Sequence, residues 1–144
     1  MLKKRKFFWW GLLLLVLAAA GYGYYQYQRP HQSAAGETTN VKIAADSLYD
    51  QYASDEKGCD GKYLGKVVEV SGKLSEISHS GQSEVWIISA AASPTGGGIN
   101  CQLFAGEKIP DPHPKAGDIV TVKGRCTGFN MDVNLSDCIV IVVK

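Results

Sequence analysis

The chain has 144 residues, 45% hydrophobic and 20% charged, with a formal net charge of +1, which leaves room for one ordinary domain. The total hides an asymmetry: from residue 30 onward 10 Lys and Arg stand against 14 Asp and Glu, a net of −4, and the other five basic residues precede it. Binding of nucleic acid without sequence preference rests on neutralising phosphates with Lys and Arg, so this composition weighs against it and leaves only a local basic patch as a route.

The chain opens MLKKRK and continues FFWWGLLLLVLAAAGYGYY, with no charged residue between Lys6 and Arg29. Residues 7–25 would form a helix roughly 28 Å long, close to the hydrocarbon thickness of about 30 Å. The cluster Lys3, Lys4, Arg5 and Lys6 predicts a cytoplasmic N-terminus, and Phe7, Phe8, Trp9 and Trp10 at one end with Tyr22, Tyr24, Tyr25 and Tyr27 at the other resemble interfacial aromatic belts. Ala18-Ala19-Ala20 before Gly21 offers a signal-peptide cleavage site. An uncleaved anchor is the favoured reading, because the aromatic segment continues past the Ala run. Either reading exports the remainder. No Cys follows closely enough to be lipidated. The expected organisation is an inner-membrane anchor over residues 1–28, a flexible linker over 29–40 read from the polar stretch QRPHQSAAGETT (28–39, His31 included) and a domain over 41–144, periplasmic in placement.

In the domain, residues 46–56 (DSLYDQYASDE) carry Leu48, Tyr49 and Tyr52 at helical spacing, with Asp46 as a capping candidate. The two tyrosines read more naturally as a packed face than as a stacking site. Five strand-like segments follow: residues 66–74 (KVVEVSGKL), 84–90 (EVWIISA), 98–104 (GINCQLF), 118–126 (DIVTVKGRC) and 133–143 (VNLSDCIVIVV). SPTGGG and the Pro-rich IPDPHPKAG separate the later ones. One early helix before five such strands predicts a small antiparallel barrel or sandwich, not a parallel sheet.

The stretches YLGKVVEVSGKLSEI, INCQLF, AGDIVTVKGRCTG and VNLSDCIVI, in that order, resemble the tRNA_anti-like family of bacterial OB-fold proteins. The resemblance spans about residues 44–143. It implies a mainly β chain: a five-stranded OB-fold barrel with a short N-terminal helix, here preceded by one transmembrane helix where relatives carry a lipidated Cys. It implies exported or membrane-anchored proteins without an assigned activity. Gly72 and Gly124 look like the glycines that let such strands coil tightly.

In an OB fold the ligand face is built on the second and third strands, flanked by the first-to-second and fourth-to-fifth strand loops. That mapping nominates Trp86, Gln102 and Phe104 on the face, His79 in one loop, and Phe129, Asn130 and Met131 in the other. Aromatic side chains there could stack bases at about 1–3 kcal/mol each. The competing expectation turns Trp86 and Phe104 into the barrel and folds Phe129 over its end.

Cys59, Cys101, Cys126 and Cys138 form an even set in a chain with an export signal, which suggests disulfides. Cys126 and Cys138 are the first candidate pair, since 11 residues centred on Asp132 separate them and the two could face each other across a hairpin. Such a loop would stabilise by about 3 kcal/mol. Cys59 and Cys101 would form the second pair or stay as thiols. The alternative is four small core residues. No C-x₂₋₄-C pair points to zinc, and no C-x-x-C to redox catalysis. TGGG (95–98) lacks the ending of a phosphate loop. His31, His79 and His113 have no second His at metal spacing, and no nucleophile motif occurs. No cofactor is expected.

The sequence therefore predicts a non-enzymatic binding module facing a protein or another envelope component. The alternatives are a single-stranded nucleic-acid binder, which would have to use Lys73, Lys123 and Arg125, and an enzyme of unidentified class.

Overall fold

The structure, a computed structural model, describes residues 2–27, 33–91, 93–94 and 96–144. The chain forms two compact units, Met1–His31 and Gln32–Lys144. The described residues of the first form one helix, α1 (Leu2–Tyr27). Its Lys6–Tyr27 portion is long and apolar enough to cross a membrane, and a signal sequence has the same character.

The second unit begins with a short turn of 3₁₀-helix at Ala34–Gly36. It continues through β1 (Val41–Ala44), α2 (Ala45–Ser54), α3 (Glu56–Tyr63), β2 (Val67–Ser80), β3 (Ser83–Ser89), β4 (Gly98–Leu103), β5 (Ile119–Asn130) and β6 (Asp132–Val143). Five strands close a barrel of the OB type. β2 pairs with β5 along its first half and with β3 along its second, both antiparallel. Antiparallel β3–β4, parallel β4–β6 and antiparallel β5–β6 complete the circuit. β1 lies outside the barrel, parallel to the first half of β2.

A single strand can serve two neighbours because β2 breaks register between Leu74 and Glu76, and such a bulge bends a strand sharply. Gly72 permits the tight approach just before it: a Cβ there would stand 2.5 Å from Ile88 Cγ2 and 2.8 Å from Ala45 Cβ. The barrel interior is Val and Ile from alternating positions, with Trp86, Leu74 and Leu135. This is the pleat of a sheet with one buried side.

Both ends of the barrel are covered. At one, α2 presents Ala45, Leu48, Tyr49 and Tyr52, all buried. Tyr49 and Tyr52 are thus core residues, as the packed reading expects. Asp46 does not cap the helix: it sits in the first turn, and its Oδ1 accepts from the Ala91 N–H at 2.7 Å. Asp55 caps α3 instead, accepting from the Gly58 N–H at 3.0 Å. At the other end the β4–β5 loop folds inward, with Pro114 buried and Ile109 against the core.

Candidate functional site

Alternation along β3 and β4 decides what each side chain can do. Trp86, Ile88, Ile99, Cys101 and Leu103 are buried. Val85, Ile87, Ser89, Asn100 and Gln102 therefore face outward, on the opposite side of the pleat. In register, Ser78, Val85 and Gln102 form one row across three strands. Glu76, Ile87, Asn100 and Asn134 form the next across four. The outer face is amide, hydroxyl and aliphatic, with Glu76 as its charged group.

Trp86 is not on this face. It is fully buried opposite Cys101, and its indole N–H donates to Glu84 Oε2 at 2.9 Å. A buried indole needs such an acceptor. Gln102 is exposed on the face. Phe104 lies past the end of β4, half-buried, its N–H donating to the Cys138 carbonyl at 2.8 Å.

The β5–β6 connection is much shorter than the sequence suggests. β5 runs to Asn130 and β6 begins at Asp132, so Met131 alone makes the turn, at φ 65°. Phe129 belongs to the strand and points at α2. Its ring stacks on Tyr52 at 5.7 Å and meets Tyr49 edge-on at 5.8 Å. Asn130 and Met131 stay exposed at the tip, Met131 at 66%. Asp132 Oδ1 accepts from the Gly98 N–H at 2.8 Å, which pins the turn to the start of β4. Of the residues nominated on the face and in the β5–β6 connection, Gln102, Asn130 and Met131 are exposed at the face or its end, Phe104 is half-buried past the end of β4, and Trp86 and Phe129 are turned away.

The basic residues are distributed against a groove. Lys73 is exposed on β2 beside Ser89, whose hydroxyl donates to the Lys73 carbonyl at 3.2 Å. Lys123 and Arg125 lie on β5, separated from β4 by β6. Both are engaged by Glu37: Lys123 donates to its carbonyl, and Arg125 to its carboxylate and, at 2.8 Å, to the Gly65 carbonyl.

His79 is at the end of β2 rather than in the loop, which shrinks to Gly81 and Gln82. Together with Glu84 and His113 it forms a cluster that the sequence reading did not find. His113 Nε2 lies 3.0 Å from Glu84 Oε1, and His79 Nε2 lies 3.8 Å from the same oxygen. Burial alone would raise the Glu84 carboxyl. The hydrogen bonds from Trp86 and His113, with the positive charge of both imidazoles, outweigh it and hold Glu84 below its ordinary range. The hydrogen bond to Glu84 in turn raises His113, and the Pro114 carbonyl adds to it. Among the described residues no group of three His, Cys, Asp or Glu is arranged to hold a metal ion.

All four cysteines are buried thiols in this structure. Cys126 stands opposite Leu135, and Cys138 opposite Leu103, so the two do not face each other across the β5–β6 hairpin. The position of the turn is the main cause: the hairpin is centred on Met131 and not Asp132, so unshifted pairing already sets Cys126 against Ser136, and the register shift between Cys126 and Gly128 moves it on to Leu135. Cys126 Sγ lies 3.2 Å from the Tyr52 hydroxyl. Burial, then the contact with Cys126, pushes the Tyr52 phenol well above its ordinary value. Burial likewise raises the thiols of Cys59 and Cys138, and buried thiols of this kind are poor nucleophiles. A cleft of about 500 Å³ between α2 and α3 is lined by Asp50, Asp55, Cys59 and Lys62 among others, and burial with the charge of Asp55 keeps the Cys59 thiol raised there.

The family model described as tRNA_anti-like matches residues 1–139. Among solved structures, the chain is similar to an OBody bound to hen egg-white lysozyme, at 18% identity and a TM-score of 0.39, over 56% of this chain and 85% of that one. It is also similar to the telomere capping protein Ten1 from Saccharomyces pombe, at 12% identity and a TM-score of 0.38, over 74% and 80%. No curated protein matches.

Proposed function

The chain belongs to the tRNA_anti-like family, and we propose that its barrel is a non-enzymatic binding module, held outside the inner membrane by α1, that receives a protein or another envelope component on the outer face of β3 and β4. The observation that carries this reading is the chemistry of that face. Ser78, Val85, Ile87, Asn100, Gln102 and Asn134 offer uncharged hydrogen bonding beside aliphatic surface, with the carboxylate of Glu76 at one edge. Such a surface suits a polypeptide or a neutral polymer.

A single-stranded nucleic acid would ask for stacked aromatics and a basic track. Trp86 and Phe129 point elsewhere, and two of the three candidate cations are tied to Glu37 on the far side of β6. The placement of α1 in the inner membrane rests on its length, its apolar composition and the basic residues before it.

The test uses the full chain in detergent micelles, titrated with a fluorescent single-stranded oligonucleotide from low to physiological salt. No binding at low salt is expected. Micromolar binding with a steep salt slope would move the assignment to nucleic acid. In parallel, a photo-crosslinking residue at Asn100 should label a defined envelope partner in membranes, and the same residue at Glu56 on α3 should not.

A further inference from the structure

The β4–β5 loop is held by the burial of Pro114, by the Val140 N–H donating to Glu107 Oε1 at 3.0 Å and the Gly117 N–H to the Leu74 carbonyl at 2.8 Å, and, over the middle of the loop, by a contact whose chemistry depends on a proton. His113 Nδ1 lies 3.0 Å from the Pro114 carbonyl oxygen and Nε2 lies 3.0 Å from Glu84 Oε1. Both partners are acceptors. A neutral imidazole has one donor nitrogen and one acceptor, so it can satisfy one of these contacts and must set a lone pair against the other. The doubly protonated ring satisfies both. Glu84 cannot turn away easily, because its second oxygen accepts from the buried Trp86 indole.

The surroundings reinforce the requirement. Glu84, on β3, is mostly buried, with its side chain 17% exposed, and His79, on β2, approaches the same oxygen. From the loop and the chain end, Asp111, Lys115, Asp118 and Lys144 line the adjoining hollow of about 440 Å³. Asp118 is already occupied, accepting from the Lys115 N–H at 2.8 Å. Glu84 is thus the carboxylate that His113 meets.

We propose that His113 is a proton-operated latch: its imidazolium fastens the β4–β5 loop to Glu84 over the Trp86 end of the barrel, and loss of the proton releases that loop. Both directions of titration agree with this. The raised His113 value means the fastening is fully present below the unfolded histidine value, about 6.5, and is lost as pH rises through the higher folded value. The lowered Glu84 value means that on the acid side it is lost only once the pH falls below the ordinary carboxylate range. The latch is therefore closed below the ordinary histidine value and opens as the pH rises above it. The inference concerns the barrel end beside the β2–β3 turn and holds whether or not the outer face binds a protein.

The experiment is hydrogen exchange of residues 104–118 in the full chain in micelles, from about pH 6 to about pH 9, corrected for the intrinsic dependence of exchange on pH. The Trp86 indole resonance is followed in the same series. Protection of the loop should fall by at least about tenfold with a midpoint above the ordinary histidine value. The Trp86 indole resonance should move with the same midpoint. His113→Gln, which can still donate to Glu84 but does not titrate, should stay protected throughout. His79→Gln should keep the transition. A wild-type profile flat in pH, a transition that survives His113→Gln, or one that vanishes with His79→Gln would each overturn the assignment.

Discussion

Phe129 stacks on Tyr52, ring centroids 5.7 Å apart and planes 15° from parallel. The pair joins the last inward residues of the β5–β6 hairpin to α2, so the helix and the hairpin close one end of the barrel together. A side chain that looks like a ligand contact in the sequence is thereby part of the closure of the α2 end. Phe129→Ala should lower stability by about 3 kcal/mol, the lower range for losing a packed phenylalanine, since the site is half-buried. Denaturant unfolding of the full chain in micelles measures it. A loss under about 1 kcal/mol would mean the ring contributes little to the closure and would return it to the candidate surface residues.

Gly124 shows why β5 needs a glycine in mid-strand. A Cβ built there would stand 2.3 Å from Cys138 Sγ, 3.1 Å from the Ser136 carbonyl and 3.3 Å from Leu135 Cβ. Gly124→Ala should therefore destabilise by about 1–3 kcal/mol through overpacking. The sulfur is the tightest contact, so combining it with Cys138→Ala should recover part of the loss. The two substitutions should be non-additive in a double-mutant cycle. Strict additivity would show that the backbone contact, not the thiol, excludes the side chain.

The barrel was legible in the sequence because its interior repeats every second residue. The Val runs of β2 and β5 and the Ile and Val run of β6 are strands on that ground alone. Which side of a strand faces inward was less legible. Placing Trp86 with Gln102 requires a parity that the register refuses, since Trp86 opposes Cys101, and a one-residue choice flips the whole face. Bulges defeat the period altogether. Leu103 opposes Cys138 although Cys101 opposes Leu135, so β6 spends one residue more than β4 across that step, at Asp137 with φ 53°. Helix α3 was hidden by Gly58 and Gly61, poor helix formers, inside eight residues. β1 is four residues long and outside the barrel. The Glu84–His113 contact joins residues 29 apart in sequence and needs the folded loop to exist at all.

Glu37 holds the segment leading into the barrel against β5. Lys123 and Arg125 both donate to it, while Asn40 exchanges two bonds with Val67 at 2.9 and 3.1 Å. The Glu37 and Arg125 side chains are about one-third exposed, so the ion pair is worth under about 1 kcal/mol. Glu37→Ala should leave global unfolding nearly unchanged yet speed proteolysis at residues 33–40 several-fold. Timed limited digestion, read by mass spectrometry, checks this. Unchanged cleavage would show that Asn40, the buried Ala34 and the Lys123 bond to the residue 37 carbonyl hold the segment without the Glu37–Arg125 ion pair.

Met131 combines two features that stability alone would remove. It is a non-glycine residue in the left-handed region, at φ 65°, a conformation that costs an ordinary side chain roughly 1–2 kcal/mol. It is also 66% exposed, so its side chain returns little burial. Met131→Gly should then raise stability by about 0.5–1 kcal/mol without moving Asp132 from Gly98. The same substitution should weaken capture of the partner crosslinked at Asn100, because the turn stands at the Gly98 end of the proposed face. Thermal unfolding and crosslinking yield on one preparation separate the two effects. A stabilised protein with undiminished crosslinking would remove Met131 from the face and leave the strained turn without a functional reason.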